Sequence, residues 1–387
     1  MKAKIKKENT IEGVSKATSI IPARTGAAFL RTLWLETKED RLKIMSTDSK
    51  IEFSGEYKAG ILEAGLVGVQ GRSFYDLYRR LPTGEITLSQ DDGQNILLLK
   101  QGRRKYKLPT HDPSWFQTFS PFPEENAVEW TASHLRELIE HIGFCIADDD
   151  SDTMFYMKMV PVQEEGYIEV CGLNGHQFGM QRFIHPGLQP LLGEEGVLIP
   201  KPYLMELKKW LTQEEILLNI DQKRIFVTNK QRSETLSFPI SFDKFPNYNI
   251  FLSYFENQTS RLILDREELI DSLERIYLFN SETQRCCYFV FSDQELVLYS
   301  QGQDTGEGTE SIEIDYQGDI EQIIFPTRNL IEILTHFKSP YVQLEFTDQN
   351  GPCKITGEKD PDYLVIIMPV KVEEETYYTE EEIESEL

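Results

Sequence analysis

The sequence predicts an α+β fold made of three similar domains in tandem. The main observation is a helical segment that occurs three times, at Arg72–Leu81, Pro202–Leu211 and Arg328–Phe337, with offsets of 130 and 126 residues. Each segment has an acidic residue at its fifth position and a large apolar residue at its sixth and tenth positions. An earlier helix pattern and runs of strand-like alternation accompany each copy, as expected for helices layered on sheets. Three such units in tandem suggest an arc, and two arcs can close a ring.

Six helices are predicted, two in each unit. The first contains Gly13, which lowers its helix propensity. The third begins at Thr131, a residue type that caps helices, before apolar residues spaced i, i+3, i+4 and i+7. The fifth begins with Asp265-x-x-Glu268, the pattern of a capping box before an apolar stripe. The predicted helices span about 6–21, 71–81, 131–147, 200–211, 265–279 and 326–337.

Short alternating segments between these helices predict the strands. Each unit has such segments after its first helix and again after its second, which supports the repeat. The segments are Leu33–Leu35, Leu42–Met45, Ile86–Leu88, Ile96–Leu99, Phe155–Val160, Tyr167–Cys171, Ile216–Ile220, Tyr288–Phe291, Leu296–Tyr299 and Val342–Phe346.

Polar segments divide the chain into domains. The proline-containing segment Ser120–Glu125 and the segment Phe255–Ser260 interrupt the helix and strand patterns. The end of the chain, 373–387, holds eight acidic residues and no basic one, which predicts a disordered acidic tail. We therefore expect domains at 1–125, 126–257 and 258–372, followed by the tail.

Length and composition indicate a multidomain globular protein, with the cytoplasm as the expected location. A chain of 387 residues fits about two to four domains. No window approaches the ~18 apolar residues of a membrane span, and Met1–Lys7 is not followed by the apolar core of a signal peptide. The five cysteines include no C-x-x-C pair. Because their number is also odd, we expect buried free thiols rather than disulfides or zinc ligands.

The charge is distributed unevenly along the chain. The total of 40 basic and 64 acidic residues gives a net charge of −24, which alone argues against nucleic-acid binding. The six predicted helices, however, hold 13 basic and 12 acidic residues, whereas the remainder holds 27 basic and 52 acidic residues. A face built from these helices could accept a polyanion that the rest of the protein repels.

Catalytic motifs are absent from the sequence. It contains no P-loop, no strand-linked G-x-G-x-x-G, no G-x-S-x-G and no H-E-x-x-H. The acidic cluster Asp148–Asp152 could bind a metal or support a hydrolase, but it lacks the glycine and distal glutamate of a calcium loop, so a solvated loop is favoured. His134 and His141 lie seven residues apart on one predicted helix, where we expect surface or core histidines rather than ligands. His176 follows Gly175 after a strand, which fits either a turn or a binding loop. We expect a non-catalytic protein without a cofactor, and a scaffold that binds only proteins stays open as an alternative.

Several segments, in this order and spacing, resemble one family. They are Gly71–Pro82, Tyr106–Phe116, Asn174–His176, Lys244–Tyr248, Asp265–Leu269 with Arg275, and Tyr363–Pro369. Together they resemble the bacterial DNA polymerase III beta subunit, the family of sliding clamps, over residues 1 to about 372. The resemblance implies a head-to-tail homodimeric ring with twelve helices around a channel and continuous sheet outside. It also implies a processivity factor in DNA replication, which encircles duplex DNA and tethers the polymerase.

The resemblance implies that the helices face DNA. A clamp must slide, and tight phosphate contacts would hinder it, so a near-neutral wall with scattered cations is suitable. The acidic cluster at 148–152 argues against a DNA contact there. Arg24 lies where the family pattern has a basic loop residue. The expected DNA-facing residues are Arg24, Arg72, Arg79, Arg80, Lys201, Lys208 and Lys209.

The family also has a pocket between its second and third domains, where short peptides of the polymerase and the clamp loader dock. A groove with methionine and aromatic walls suits apolar side chains. The family's usual turn, Thr-Asp-Gly-His-Arg-Leu, here reads Leu173–Phe178 without the acid and the arginine, which predicts a shifted partner preference. By motif the pocket maps to Tyr156, Leu173, Gly175, His176, Phe178, Pro246, Phe251, Ile366, Met368, Pro369 and Val370.

Overall fold

The structure is a computed structural model that describes residues 1–22, 27–91, 95–150, 153–162, 164–212, 214–257, 259–282 and 285–371. Arg24, the end of the acidic cluster at 151–152 and the predicted tail at 373–387 lie outside the described residues. The fold is α+β, as predicted, with helices beside large antiparallel sheets. Along the described chain, no helix combines the length and the apolar character needed to cross a membrane.

The chain forms two compact units, the first of which contains Met1–Gly172 and Arg182–Phe245. Its helices are α1 (Lys7–Ile20), α2 (Gly71–Arg80), α3 (Ala132–Gly143), α4 (Gln189–Leu192) and α5 (Lys201–Trp210), with short 3₁₀ turns at Ala28–Arg31 and Pro113–Trp115. Its strands are β1 (Lys2–Lys6), β2 (Thr32–Lys38), β3 (Arg41–Thr47), β4 (Glu52–Lys58), β5 (Gly60–Glu63), β6 (Gly65–Gln70), β7 (Glu85–Asp91), β8 (Ile96–Gln101), β9 (Arg104–His111), β10 (Val128–Thr131), β11 (Tyr156–Val162), β12 (Tyr167–Leu173), β14 (Val197–Pro200), β15 (Glu215–Ile220), β16 (Arg224–Asn229) and β17 (Glu234–Pro239).

The second unit contains Leu173–Gln181 and the chain from Pro246 onward. Its helices are α6 (Asn249–Ser253), α7 (Arg266–Tyr277) and α8 (Thr327–Thr335). Its strands are β13 (Gln177–Phe183, whose last two residues belong to the first unit), β18 (Ser260–Asp265), β19 (Cys286–Phe291), β20 (Glu295–Gly302), β21 (Gly306–Glu313), β22 (Gln322–Pro326), β23 (Tyr341–Phe346), β24 (Cys353–Gly357) and β25 (Tyr363–Ile367).

One continuous sheet joins the first two repeats. Its 13 strands follow the order β10-β15-β16-β17-β4-β3-β2-β6-β9-β8-β7-β1-β5. The seam between the repeats is the antiparallel pair β17–β4, in which Glu234 lies opposite Gly55 and Ser237 lies opposite Glu52. This pairing explains why the first repeat and most of the second form one compact unit. The three-domain division proposed from the sequence therefore stays a prediction.

The strands of the second unit also pair in antiparallel sheets. Strands β13, β25, β24, β23 and β18 are neighbours in that order, and β21, β20, β19 and β22 form a separate four-stranded sheet. In the first of these, Phe178 of β13 lies opposite Ile366 of β25. Strand β21 is an edge strand of the second sheet, since it pairs with β20 alone among the described strands.

The six long helices lie where the sequence predicts them. The carboxylate of Asp265 accepts hydrogen bonds from the backbone N–H groups of Glu267 and Glu268, both at 3.0 Å, as the capping pattern predicts. Thr131 is the N-cap residue of α3, but its side chain makes no capping bond there. Helix α3 ends four residues before the predicted end, because the chain turns after Gly143, where the Cys145 N–H donates to the Ile142 carbonyl at 3.0 Å. Helices α4 and α6, with four and five residues, are too short for periodicity to predict them.

The prediction of buried free thiols is confirmed for all five cysteines. Burial raises the pKa of the Cys287 thiol to about 12, so this thiol stays protonated and unreactive at neutral pH.

Gly13, whose type lowers the helix propensity of α1, lets the Tyr57 side chain pack close to the helix. A Cβ atom at this position would lie 1.9 Å from the hydroxyl oxygen of Tyr57, so glycine is needed for the tyrosine to pass over the helix.

Candidate functional sites

Four helices of the first unit lie side by side in the order α2-α1-α5-α3. The Thr10 and Tyr78 hydroxyls, 2.6 Å apart, join α1 to α2. The ammonium of Lys16 on α1 lies 5.7 Å from the centroid of the Trp210 ring on α5. Lys208 on α5 pairs with Glu140 on α3 at 3.1 Å. We call these four helices the helix row.

The helix row is basic, unlike the protein as a whole. Its four helices carry nine Lys and Arg residues and six Asp and Glu residues. Helices α7 and α8 of the second unit carry three and five, respectively. The positive charge that the sequence places on the helices is therefore concentrated in the first unit.

The described members of the predicted DNA-facing set all lie on the helix row, and each has a partner. Three bond to backbone carbonyls: Arg72 donates to Ile21 O at 3.0 Å, Arg80 to Asp76 O at 3.3 Å, and Lys201 to Ile146 O at 2.6 Å. Lys201 also pairs with Asp148 at 2.7 Å, so the acidic loop serves as an ion-pair partner for this helix. The remaining three pair with carboxylates of the row: Arg79 with Asp76 at 2.9 Å, Lys208 with Glu140 at 3.1 Å, and Lys209 with Glu206 at 2.6 Å.

A buried ion pair lies at the seam between the first two repeats. The Lys16 ammonium is 2.7 Å from Glu234, and both side chains are more than nine-tenths buried. The Tyr57 hydroxyl donates to the other oxygen of Glu234 at 2.7 Å. Burial, together with the negative charge of Glu234, raises the pKa of Tyr57, so its hydroxyl remains a donor at neutral pH. The Lys16 ammonium, which also binds Glu12 at 2.8 Å, lowers the pKa of the Glu12 carboxyl.

The second unit contains a small apolar pocket. Its floor is the β13–β25 pair, extended by a hydrogen bond of 2.8 Å from the Met368 N–H to the His176 carbonyl. The Phe178 ring stacks with Phe251 on α6, with ring centroids 5.8 Å apart, and with Tyr248 at 5.7 Å. The lining residues are Leu173, Gly175, His176, Gln177, Phe178, Phe251, Ile366 and Met368.

The turn that enters β13 shapes one wall of this pocket. The Asn174 carboxamide oxygen accepts from the backbone N–H groups of His176 and Gln177, at 3.1 and 3.0 Å. Gly175 has φ of 85°, which supports the turn interpretation of this segment. Since these residues also line the pocket, the turn and binding-loop interpretations are compatible here. The lining contains no Asp, Glu, Lys or Arg side chain, and His176 is its one ionisable residue.

The structure brings together most of the predicted pocket residues. Leu173, Gly175, His176, Phe178, Phe251, Ile366 and Met368 line one cavity. Pro246, Pro369 and Val370 belong to the same unit but are not part of this lining. Tyr156 belongs to the first unit, where its hydroxyl donates to Asp243. The sequence analysis missed Gln177 as a lining residue, although its position between His176 and Phe178 was a sufficient signal.

The described residues include no group of three or more His, Cys, Asp or Glu side chains that could hold a metal ion. Asp148, which begins the acidic cluster, is instead paired with Lys201. His134 accepts a hydrogen bond from the Trp130 indole N–H at 3.1 Å and lies in an aromatic cluster with Phe183. These side chains therefore have structural partners.

Comparisons with known proteins were made for the whole chain. Models for the DNA polymerase III beta subunit match residues 1–119 (N-terminal domain) and 255–371 (C-terminal domain). The beta sliding clamp of Caulobacter vibrioides (strain NA1000 / CB15N) is 21% identical over 378 residues, which cover 96% of this chain and all of that protein. The beta sliding clamp of Chlamydia muridarum is 24% identical over 366 residues, 94% of this chain and 96% of that protein.

Solved structures agree in fold. The DnaN sliding clamp of Pseudomonas aeruginosa, bound to griselimycin, matches with a TM-score of 0.85 at 21% identity. The match covers 96% of this chain and the whole of that chain. The Caulobacter crescentus pol III beta structure has a TM-score of 0.87 at 21% identity, with the same coverage. The two family models belong to one family and together match more than half of the chain. The repeat, the fold and the full-length relatives all point to that same family. The chain belongs to the family of the bacterial DNA polymerase III beta subunit, the sliding clamps, which act as non-catalytic processivity factors in DNA replication.

Proposed function

We propose that this chain forms a closed head-to-tail homodimer around duplex DNA in the cytoplasm, at the nucleoid. In this proposal, the ring holds the replicative polymerase, its clamp loader and other partners through short peptides in the pocket of the second unit. The observation that carries the proposal is the pattern of strand pairing at the ends of the repeats.

Each repeat contributes two runs of three strands. The runs after the first helices are β2–β4, β11–β13 and β19–β21, and those after the second helices are β7–β9, β15–β17 and β23–β25. The last strand of each run after a first helix pairs with the last strand of the run after the second helix of the next repeat. In this way β4 pairs with β17, and β13 pairs with β25. By the same rule β21 should pair with β9. Strand β21 is an edge strand, and β9 pairs with β8 along its first six residues but with β6 only through Thr110 and His111.

Charge complementarity supports the pairing of β9 with β21 of a second copy. The exposed part of β9 carries Arg104, Lys105 and Lys107. Strand β21 carries Glu307, Glu310 and Glu313. Opposite charges on these two strands favour the pairing of β9 with β21, and they disfavour the pairing of β9 with β9 or of β21 with β21. Two such contacts close six repeats into a ring with two-fold symmetry.

The charge of the helix row supports the proposal that these helices line a channel for DNA. Its net positive charge attracts a duplex, whereas the acidic remainder of the protein repels it. Because topology, rather than tight binding, would retain the DNA, weak contacts with the backbone are sufficient. The deciding experiment loads the protein onto a nicked circular plasmid with its clamp loader and then cuts the circle. We expect loss of the protein after cutting but retention when bulky proteins block both ends; equal retention on open linear DNA would contradict the proposal.

We predict that Met368→Ala weakens the binding of a short apolar clamp-binding peptide by about 1 kcal/mol or more, as expected for a buried anchor contact. Met368 lines the pocket, whereas the exposed Val290 on β19 lies outside both the lining and the predicted pocket set, so Val290→Ala is the control. Calorimetry with both variants tests the pocket. Equal affinities for Met368→Ala and the wild type would place the peptide elsewhere.

We also predict that Arg79→Glu combined with Lys209→Glu reduces clamp loading and processive synthesis while the fold is retained. Both side chains are exposed on the helix row, and each reversal replaces backbone attraction with repulsion. Lys230→Glu is the control, because Lys230 is an exposed lysine after β16, away from the helix row. Primer extension on long templates at physiological salt measures the effect. Unchanged product length would show that other residues face the DNA.

A further inference from the structure

Three cations of the helix row are paired with carboxylates of the same row, although the row as a whole carries a net positive charge. Asp76 lies 2.9 Å from Arg79, Glu206 lies 2.6 Å from Lys209, and Glu140 lies 3.1 Å from Lys208. The three cations are 40% to 63% exposed, so a phosphate could reach them. A phosphate that binds one of these cations must displace its carboxylate.

The first two pairs occupy equivalent positions in two repeats. Asp76 and Glu206 are the fifth residues of the repeated segment, and Arg79 and Lys209 are the eighth. The equivalent residues of the third repeat are Glu332 and Thr335, on α8. The repeat therefore retains the acid in all three copies, even where the cation is missing. A surface that only attracted DNA would have no need of this acid.

Stability does not explain these carboxylates well. The ion pairs on α2 and α5 have i,i+3 spacing and an exposed cation, a kind that contributes little to folding, although Glu206 itself is only 18% exposed. A carboxylate beside each cation has two effects on a nearby phosphate: it competes for the cation and it repels the phosphate directly. Both effects lower the number of phosphates that the wall neutralises, and hence the affinity and its salt dependence.

We propose that Asp76, Glu140 and Glu206 are built-in competitors of the DNA backbone, which keep the helix row from gripping the duplex and so permit sliding. The inference rests on the proposed function, in which the helix row faces DNA. It assigns the acidic residues a role that the cations alone do not provide: they set the strength of each backbone contact. The DNA-facing surface thus consists of ion pairs in which a phosphate can replace the carboxylate.

The test is a charge-removal variant that combines Asp76→Asn, Glu140→Gln and Glu206→Gln. The matched control combines Glu85→Gln, Glu215→Gln and Glu124→Gln. These residues pair with Lys4, Lys230 and Arg232 outside the helix row. Both variants remove three negative charges from ion pairs whose cations are 40% to 63% exposed, so any difference between them reports the position of the charges and not the net charge. Circular dichroism and sedimentation establish that both variants fold and assemble like the wild type.

The readout is the equilibrium affinity for a short fluorescent duplex, measured by anisotropy across a range of salt concentrations. If three cations are released to bind phosphates, the slope of log K against log salt steepens by about 0.9 for each, and the affinity lost between 50 and 200 mM salt grows by roughly 40-fold relative to wild type. The control should keep the wild-type slope. If the helix-row variant also keeps that slope, the inference is wrong.

A second variant keeps the test independent of the folding of the first. Thr335→Lys places a cation three residues after Glu332, in the register of Arg79 and Lys209. We expect it to steepen the salt slope less by itself than in combination with Glu332→Gln. If Thr335→Lys steepens the slope by itself and the addition of Glu332→Gln steepens it no further, the competitor role is wrong. Neither result depends on the plasmid experiment. Release of the protein from a cut circle together with unchanged salt slopes would retain the proposed function and reject this inference. Retention on open linear DNA would reject the proposed function itself.

Discussion

Replacing Leu278 by aspartate should convert the dimer into monomers. Leu278 follows α7 directly, and 71% of its surface is exposed. Its neighbourhood is the edge strand β21. Arg275 on α7 binds Glu310 on β21 at 2.7 Å, and the Phe279 carbonyl accepts from Thr305 at 2.9 Å in the turn before β21. Leu278 therefore lies beside the strand that we propose to pair with β9 of a second copy.

The expected size of this effect follows from the chemistry of interfaces. A leucine at the centre of an interface is shielded from water on association, and a carboxylate in its place would be desolvated without a partner. We expect the dimer dissociation constant to rise by at least about 100-fold, which corresponds to roughly 3 kcal/mol. Sedimentation at micromolar concentration should show about twice the 44.9 kDa monomer mass for the wild type and the monomer mass for the variant.

Ile184→Asp is the matched control, because Ile184 is 74% exposed in the first unit and belongs to neither proposed edge strand. This variant should remain a dimer. If Leu278→Asp has the wild-type mass, the assignment of β21 and the end of α7 to the interface is wrong. If the wild type itself is a monomer under these conditions, the ring is not the form that the protein adopts.

Removing the carboxylate at the seam should cost more stability than any other single change discussed above. Glu234 accepts from Tyr57 and binds Lys16, both at 2.7 Å, in a position where these side chains are largely buried. Glu234→Ala leaves the Lys16 ammonium buried with Glu12 as its remaining carboxylate partner. Loss of one member of a buried ion pair typically costs about 3–5 kcal/mol, and the nearby Glu12 places our expectation near 3 kcal/mol.

Two further variants separate the buried charge from the fold around it. Glu12→Gln removes a carboxylate that is 59% exposed, and should lower the free energy of unfolding by less than about 1 kcal/mol. Lys16→Met combined with Glu234→Leu removes both charges, and should be closer to the wild type than Glu234→Ala is, because no unpaired charge remains. Urea unfolding measures all three. A loss below about 1 kcal/mol for Glu234→Ala would show that water screens the pair.

Periodicity was sufficient for the helices and for most strands. All six long helices begin within a residue or so of their predicted starts, because an apolar stripe of period 3.6 and a capping residue are properties of neighbouring residues. The contribution of Asp265 as a cap could be read from its spacing to Glu268. Thr131 occupies the cap position as predicted, but spacing alone could not show that its side chain makes no bond.

The sites were predictable only in part. Seven residues of the pocket were named from motifs, yet they come from segments near 175, 251 and 367 that pairing of β13 with β25 brings together. Cations of the helix row were named as DNA contacts, but their carboxylate partners were not. Asp76 and Glu206 are local to their cations, whereas Glu140 lies on a different helix from Lys208.

The sequence by itself determined the α+β class, the repeat, the positions of the helices and the near-neutral charge of those helices, since each depends on the order of residues along the chain. Tertiary structure alone decided that Lys16 meets Glu234, 218 residues away, and that β4 pairs with β17. It also decided that β21 ends its sheet and that β9 pairs with β6 through its last two residues only. These features depend on which distant segments become neighbours. That choice is made by the packing of whole sheets and helices, which no local pattern of residues records.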